Sequence, residues 1–95
     1  MRSVNLSIII PVYNQEKNIF ALHKEILRIC AENRYKFEII FVDDGSTDRT
    51  GQIASNLSPV KYIQLRRNFG QTAALDAGIK ASKFEKINNY NRVSV

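Results

Sequence analysis

Apolar positions in this chain follow two periods, and the changes between them mark the elements. Phe37, Ile39, Ile40, Phe41 and Val42 form a nearly unbroken aromatic and β-branched run, the pattern of a strand covered on both faces. Leu6 to Ile10, within LSIIIPVYN, predicts an earlier strand of the same kind that ends at Pro11, which has no N–H for a ladder. From Gln15 to about Asn33 the period becomes three and four. Ile19, Leu22, Ile26, Ile29 and Cys30 share a stripe while Glu16, Lys17, Lys24, Glu25, Arg28 and Glu32 fall mainly elsewhere, which predicts an amphipathic helix. His23, beside Leu22, is expected to be partly exposed on that helix rather than to serve as base or metal ligand. A second helix is predicted from about Thr47 to Leu57, with Ile53, Ala54 and Leu57 inward, Asp48 in its first turn and Pro59 ending it. Val60 to Leu65 alternates as a third strand. After Gly70, a helix rich in small residues is predicted, in which Ala74 and Gly78 let the backbone approach a sheet.

From Lys83 onward, KFEKINNYNRVSV keeps neither period. Asn88, Asn89 and Asn91 around Tyr90 predict a loop, and only Arg92 to Val95 predicts a short strand. The order β-α-β-α-β-α implies right-handed crossovers and an α/β fold, a Rossmann-like three-layer parallel sheet. The division expected is one unit over residues 1–82 followed by an irregular tail over 83–95. If Arg92 to Val95 does not pair beside the first strand, Leu6 to Ile10 is left with an open edge, and self-association through it is expected. The sheet looks incomplete.

The chemistry concentrates where the second strand ends, at FEIIFVDDGSTDRTG. Asp43 and Asp44 stop the apolar run, Gly45 allows a turn that a Cβ would resist, and Ser46 or Thr47 is placed to cap the following helix. In open α/β sheets this is the edge that binds ligands. Strand alternation sends the two carboxylates to opposite faces, so at most one meets a given ligand; a purely structural pair, one holding the turn and one solvated, is the plain alternative. No Gly-x-Gly-x-x-Gly follows the first strand, and no Gly-rich loop ends in Lys-Ser or Lys-Thr, which sets aside the dinucleotide-binding and P-loop families. Receiver domains also carry an acidic pair, but their phosphoacceptor Asp ends the third strand, where this chain has IQLRRN.

Composition narrows the partners. The 95 residues carry 14 Lys and Arg against 9 Asp and Glu, a net charge of +5, which suits an anionic ligand such as a phosphate-bearing small molecule or an anionic membrane surface. Only Arg66 and Arg67 adjoin, and no basic helix face or aromatic platform argues for nucleic acid. Cys30 is the sole cysteine, so no internal disulfide forms. No run approaches the roughly 20 apolar residues of a membrane span, and Met1 and Arg2 precede too short an apolar run for a signal peptide.

Three segments, SIIIPVYNQEKNI, FEIIFVDDGSTDRT and LRRNFGQTAALDAGI, in this order and spacing, closely resemble the N-terminal nucleotide-binding half of family-2 inverting glycosyltransferases of GT-A fold. RRNFGQTAAL is most similar to the branch that moves a sugar from a nucleotide donor to a polyprenyl or dolichyl phosphate. The resemblance covers about residues 4 to 82. It implies that Pro11, Val12 and Tyr13 shape the base pocket, that Glu16 lies near base or ribose, and that Asp44 hydrogen-bonds the base while Asp43 supports the turn. It further implies that Ser46 combines capping with shaping the nucleotide pocket, and that Arg66, Asn68, Gly70 and Gln71 lie on the loop beside the donor, where a cation can meet the diphosphate. Packing or solvent exposure is the plain alternative for Tyr13 and Gln71.

The resemblance also implies a donor of UDP or GDP type, a polyprenyl-phosphate or glycan acceptor, and Mg²⁺ or Mn²⁺ held by an Asp-x-Asp motif after the third helix. No Asp-x-Asp occurs here, and Asp76 is the last aspartate. With those ligands and the acceptor half missing, the 95 residues are expected to bind donor without turnover, at the cytoplasmic face where nucleotide sugars reside. The alternatives are a non-catalytic nucleotide-binding module and an interaction protein pairing through an open strand edge.

Overall fold

The computed structural model describes residues 5–84 and 86–89. Seven elements follow one another: β1 (Asn5–Val12), α1 (Ile19–Glu32), β2 (Lys36–Asp43), α2 (Thr50–Ser55), β3 (Lys61–Gln64), α3 (Gln71–Ala81) and β4 (Lys86–Asn89). The strands form one sheet in the order β3-β2-β1-β4, every pairing parallel, with Ile8 opposite Ile39 and Phe41 opposite Tyr62. This is the α/β class that the alternation of strand and helix implies, with a fourth strand added.

Both faces of the central strands are covered. Leu6, Ile8, Ile10 and Val12 of β1 and Ile39 and Phe41 of β2 pack with Ile19, Ile26 and Cys30 of α1 and Ala54 of α2. Ile9, Ile40 and Val42 turn the other way and pack with Ala74 of α3. That second layer is thin because its helix comes close: a Cβ added at Gly78 would stand 2.3 Å from Ile9 Cγ2. The small residues of α3 therefore serve packing.

Several boundaries depart from expectation, each for a physical reason. Pro11 does not end β1, which continues to Val12. Val12 O accepts the Asp44 N–H, so Val12 turns its backbone polar groups toward β2 and Pro11, one residue earlier, turns its own the other way. On that side the β4 pairing stops at Ile9, so the proline costs no ladder bond. Helix α1 begins at Ile19 rather than Gln15, whose carbonyl instead takes the Asn18 and Ile19 N–H groups in a turn. His23 is buried at 4% exposure, against expectation. It lies four residues after Ile19 and three before Ile26, which places it on the inward stripe, with its ring edge-on to Phe41. Helix α2 begins at Thr50, not Thr47, and closes at Ser55, four residues short of Pro59.

The fourth strand also lies elsewhere than predicted. Lys86 to Asn89 pairs beside β1, with Leu6 opposite Lys86 and Ile9 opposite Asn89, although its asparagines read as loop. β4 borders the sheet among the described strands. Arg92 to Val95, the expected strand, lies outside the described residues. The open β1 edge on which self-association was expected is thus covered from Leu6 to Ile9. The connection from α3 is pinned at the opposite end of the sheet: Glu38 accepts the Ser7 hydroxyl at 2.6 Å and the Lys83 N–H at 2.6 Å, and the Phe84 N–H donates to Ser7 Oγ at 3.2 Å.

Candidate functional site

The carboxyl ends of β1, β2 and β3 are laced into one rim. Asp44 N–H donates to Val12 O and Leu65 N–H donates to Asp43 O, each at 2.9 Å. Between them, Gly45 takes φ 82°, and a Cβ there would stand 2.6 Å from Arg67 C and from Asn68 N. The turn therefore needs glycine for conformation and for space, and the 66–70 loop lies directly against it.

Because β2 alternates to its end, the two carboxylates part. Asp43, 1% exposed, faces the α2 side: Oδ1 accepts the Ser46 N–H at 2.7 Å and Oδ2 the Tyr62 hydroxyl at 2.7 Å. Burial, with the Asp43 carboxylate beside it, pushes the Tyr62 phenol above its ordinary range. Asp44, 6% exposed, faces the α3 side, where Oδ1 accepts the Phe69 N–H at 2.8 Å and Oδ2 the Gly70 N–H at 3.2 Å. It sits at the start of α3, where free N–H groups and the helix dipole favour a negative charge.

A second lacing joins the 13–18 loop to the 46–50 loop. Asn14 N–H donates to Ser46 Oγ at 2.9 Å, and Asn14 Oδ1 accepts the Thr47 N–H at 2.8 Å, the Asp48 N–H at 3.3 Å and the Thr47 hydroxyl at 3.4 Å. Gln15 N–H donates to Thr50 Oγ1 at 2.7 Å and Glu16 N–H to Asp48 Oδ2 at 3.2 Å. Asp48 Oδ1 in turn accepts from the Thr50 N–H and hydroxyl. Burial pushes the Asp48 carboxyl up, but its bonds to the Thr50 hydroxyl and to the Thr50 and Glu16 N–H groups outweigh this and hold it below the ordinary carboxylate range. The Thr50 N–H, the first that would bond within a helix opened at Thr47, is held by Asp48 Oδ1 instead, and α2 starts at Thr50.

The predicted site residues fall along this rim in different states. Pro11 and Val12 are buried beneath it, while Tyr13 stands 43% exposed above it. Glu16 is half-buried and engaged through its backbone. Ser46 caps no helix: Arg49 occupies the N-cap position and no side chain caps α2, so the Ser46 hydroxyl serves the Asn14 N–H instead. Arg66 and Asn68 are exposed on the loop, where Asn68 Oδ1 accepts the Gly70 N–H at 3.0 Å. Gly70 precedes α3 at φ 97°. The Gln71 side chain lies outside the described part of the chain. A cavity of about 390 Å³ opens on the Asp43 side, lined by Asp43, Ser46, Asp48, Gln52, Tyr62 and Gln64 among others, with no cationic side chain among the described residues of its wall. It does not include Asp44 or Tyr13.

Sequence reasoning missed Asn14, Asp48, Tyr62 and the Arg67–Phe69 pair, whose guanidinium lies 4.9 Å from the ring centroid. Asn14 carried a signal, since asparagine tolerates the left-handed φ of 50° found there. Asp48 stands two before Thr50, the spacing of a local side-chain turn. Among the described residues no three His, Cys, Asp or Glu gather as a metal site. Asp43 and Asp44 fit no such role together, since they face opposite sides of the sheet.

Residues 7–87 match the model of glycosyl transferase family 2. CsbB of Bacillus subtilis (strain 168) is 38% identical over 91 residues, covering 92% of this chain and 28% of that protein. A dodecaprenyl-phosphate galacturonate synthase of Rhizobium johnstonii is 33% identical over 88 residues, covering 87% and 26%. An undecaprenyl-phosphate 4-deoxy-4-formamido-L-arabinose transferase of Pseudomonas fluorescens (strain Pf-5) is 40% identical over 80 residues, covering 79% and 24%. A parallel α/β sheet with a DDGS turn at its carboxyl edge, matched over this length, places the chain in glycosyl transferase family 2. The chain spans about a quarter of the length of the curated relatives it matches. No described helix is long and apolar enough to cross a membrane.

Proposed function

We propose that these residues form the donor-nucleotide-binding part of a glycosyltransferase that transfers a sugar from a UDP- or GDP-linked donor to a polyprenyl phosphate. The observation carrying this reading is the rim itself: three motifs far apart in sequence meet at the carboxyl edge of a parallel sheet, where such folds bind ligands. Exposed Tyr13 offers a face for a base. Asp44 retains free lone pairs beyond its two backbone donors, since a carboxylate has about four acceptor sites. Arg66, exposed beside the start of α3, suits a diphosphate. The names of two relatives, both acting on polyprenyl phosphates, support the acceptor class.

Among the described residues no group of His, Cys, Asp or Glu gathers to hold a divalent cation. If the full protein uses Mg²⁺ or Mn²⁺, its ligands come from sequence other than the described residues, and these residues alone bind donor without turnover. Since nucleotide sugars are cytosolic, the rim faces the cytoplasm, at the membrane surface where a polyprenyl acceptor resides. The rival reading of an interaction module cannot use the β1 edge from Leu6 to Ile9, where β4 pairs.

Calorimetric titration of the chain with UDP and with GDP, with and without Mn²⁺, tests this beside Asp44→Ala. Saturable binding of one nucleotide, indifferent to Mn²⁺ and weakened at least roughly tenfold by Asp44→Ala, is expected. No heat from a folded sample with either nucleotide would overturn the reading.

A further inference from the structure

Tyr13, the aromatic of the predicted base pocket, stands exposed, yet its backbone is held on both sides. Val12 O is tied to Asp44 N–H, and the Asn14 N–H is tied to Ser46 Oγ. Asn14 then turns the chain at φ 50° and plants Oδ1 on the Thr47 and Asp48 N–H groups. This side chain thereby helps fix where the loop after β1 sits relative to the loop after β2, beside the Gln15–Thr50 and Glu16–Asp48 bonds. Any ligand held between Tyr13 and Asp44 depends on that relation.

We infer that Asn14 is a positioning residue for the donor nucleotide: its side-chain oxygen clamps the 46–48 backbone and so sets Tyr13 against Asp44. The inference rests on the donor-binding reading above. Two features of the residue are separable. The left-handed backbone is open to Gly and tolerated by Asn and Asp, whereas the acceptor oxygen is present in Asn and Asp but absent from Gly. All the donors around Oδ1 are N–H or O–H groups, so a carboxylate at position 14 can accept the same bonds.

The test is nucleotide titration of wild type, Asn14→Gly and Asn14→Asp, with backbone amide exchange of Thr47 and Asp48 measured by NMR on each. Asn14→Gly is expected to bind the nucleotide roughly five- to tenfold more weakly and to lose protection at Thr47 and Asp48 while the β1 and β2 amides stay protected. Asn14→Asp is expected to stay within about twofold of wild type and keep that protection. Wild-type affinity in Asn14→Gly would overturn the clamp, leaving only a backbone preference. An Asn14→Asp chain as weak as Asn14→Gly would overturn it as well. A folded wild type that binds neither UDP nor GDP would instead bring down the donor-binding reading, and this inference with it.

Discussion

Tyr62 and Asp43 illustrate how much a single residue carries here. The carboxylate is buried, and one of its oxygens depends on a hydroxyl from the neighbouring strand. A buried acceptor that loses a donor costs about 1–2 kcal/mol, so Tyr62→Phe is expected to lower the unfolding free energy by that amount, read as a lower urea midpoint with an unchanged slope. An unchanged midpoint would show that solvent replaces the hydroxyl. The pair has a pH signature too. Because the folded Tyr62 phenol is raised above the ordinary value near 10, its contribution is complete below about pH 10. It is lost only as pH climbs through the higher folded value. The partition of Asp43 and Asp44 was legible in the sequence, since it follows from strand alternation carried to the end of β2. Their partners were not, because Tyr62, Phe69 and Gly70 come from segments whose approach is decided by tertiary packing.

Among the elements, the strands and the three helices were legible wherever an apolar stripe met a covered surface. β1, β2 and α1 have such stripes, and even the errors inside them were local, as with His23, which shares the inward stripe of Ile19 and Ile26. Elements decided by polar bonds were less legible: α2 starts late where Asp48 holds the Thr50 N–H, and β4 pairs despite its asparagines. The chain leading into β4 is held by a polar clasp of Ser7, Glu38, Lys83 and Phe84. Burial pushes the Glu38 carboxyl up, but the Lys83 N–H, the Ser7 hydroxyl and the Lys61 and Lys83 ammonium groups more than offset this, leaving it below the ordinary carboxylate value. A depressed folded pKa contributes stability above the unfolded value, about 4.3, that is lost as pH falls through the folded one. Wild type is therefore expected to lose stability more steeply than Glu38→Gln as pH falls through and below about 4, read from thermal unfolding at a series of pH values. Parallel curves for the two proteins would remove Glu38 from the acid response.

For the molecule as a whole, the sheet order places β1 between β2 and β4, so the row of N–H and C=O groups from Leu6 to Ile9 is satisfied only when Lys86 to Asn89 is present. A chain cut after Ser82 exposes that row and is expected to self-associate as its concentration rises, whereas the full chain does not. Sedimentation velocity over a hundredfold concentration range distinguishes the two, and a truncated chain that stays monomeric would mean the bare edge is protected in another way.

The same topology imposes a schedule. Leu6 waits for Lys86, and at roughly 5–20 residues per second the intervening stretch of about 80 residues occupies a ribosome for on the order of 4–16 seconds. Throughout that interval the most hydrophobic strand of the nascent chain has one flank open. A slower translating message lengthens the exposure in direct proportion.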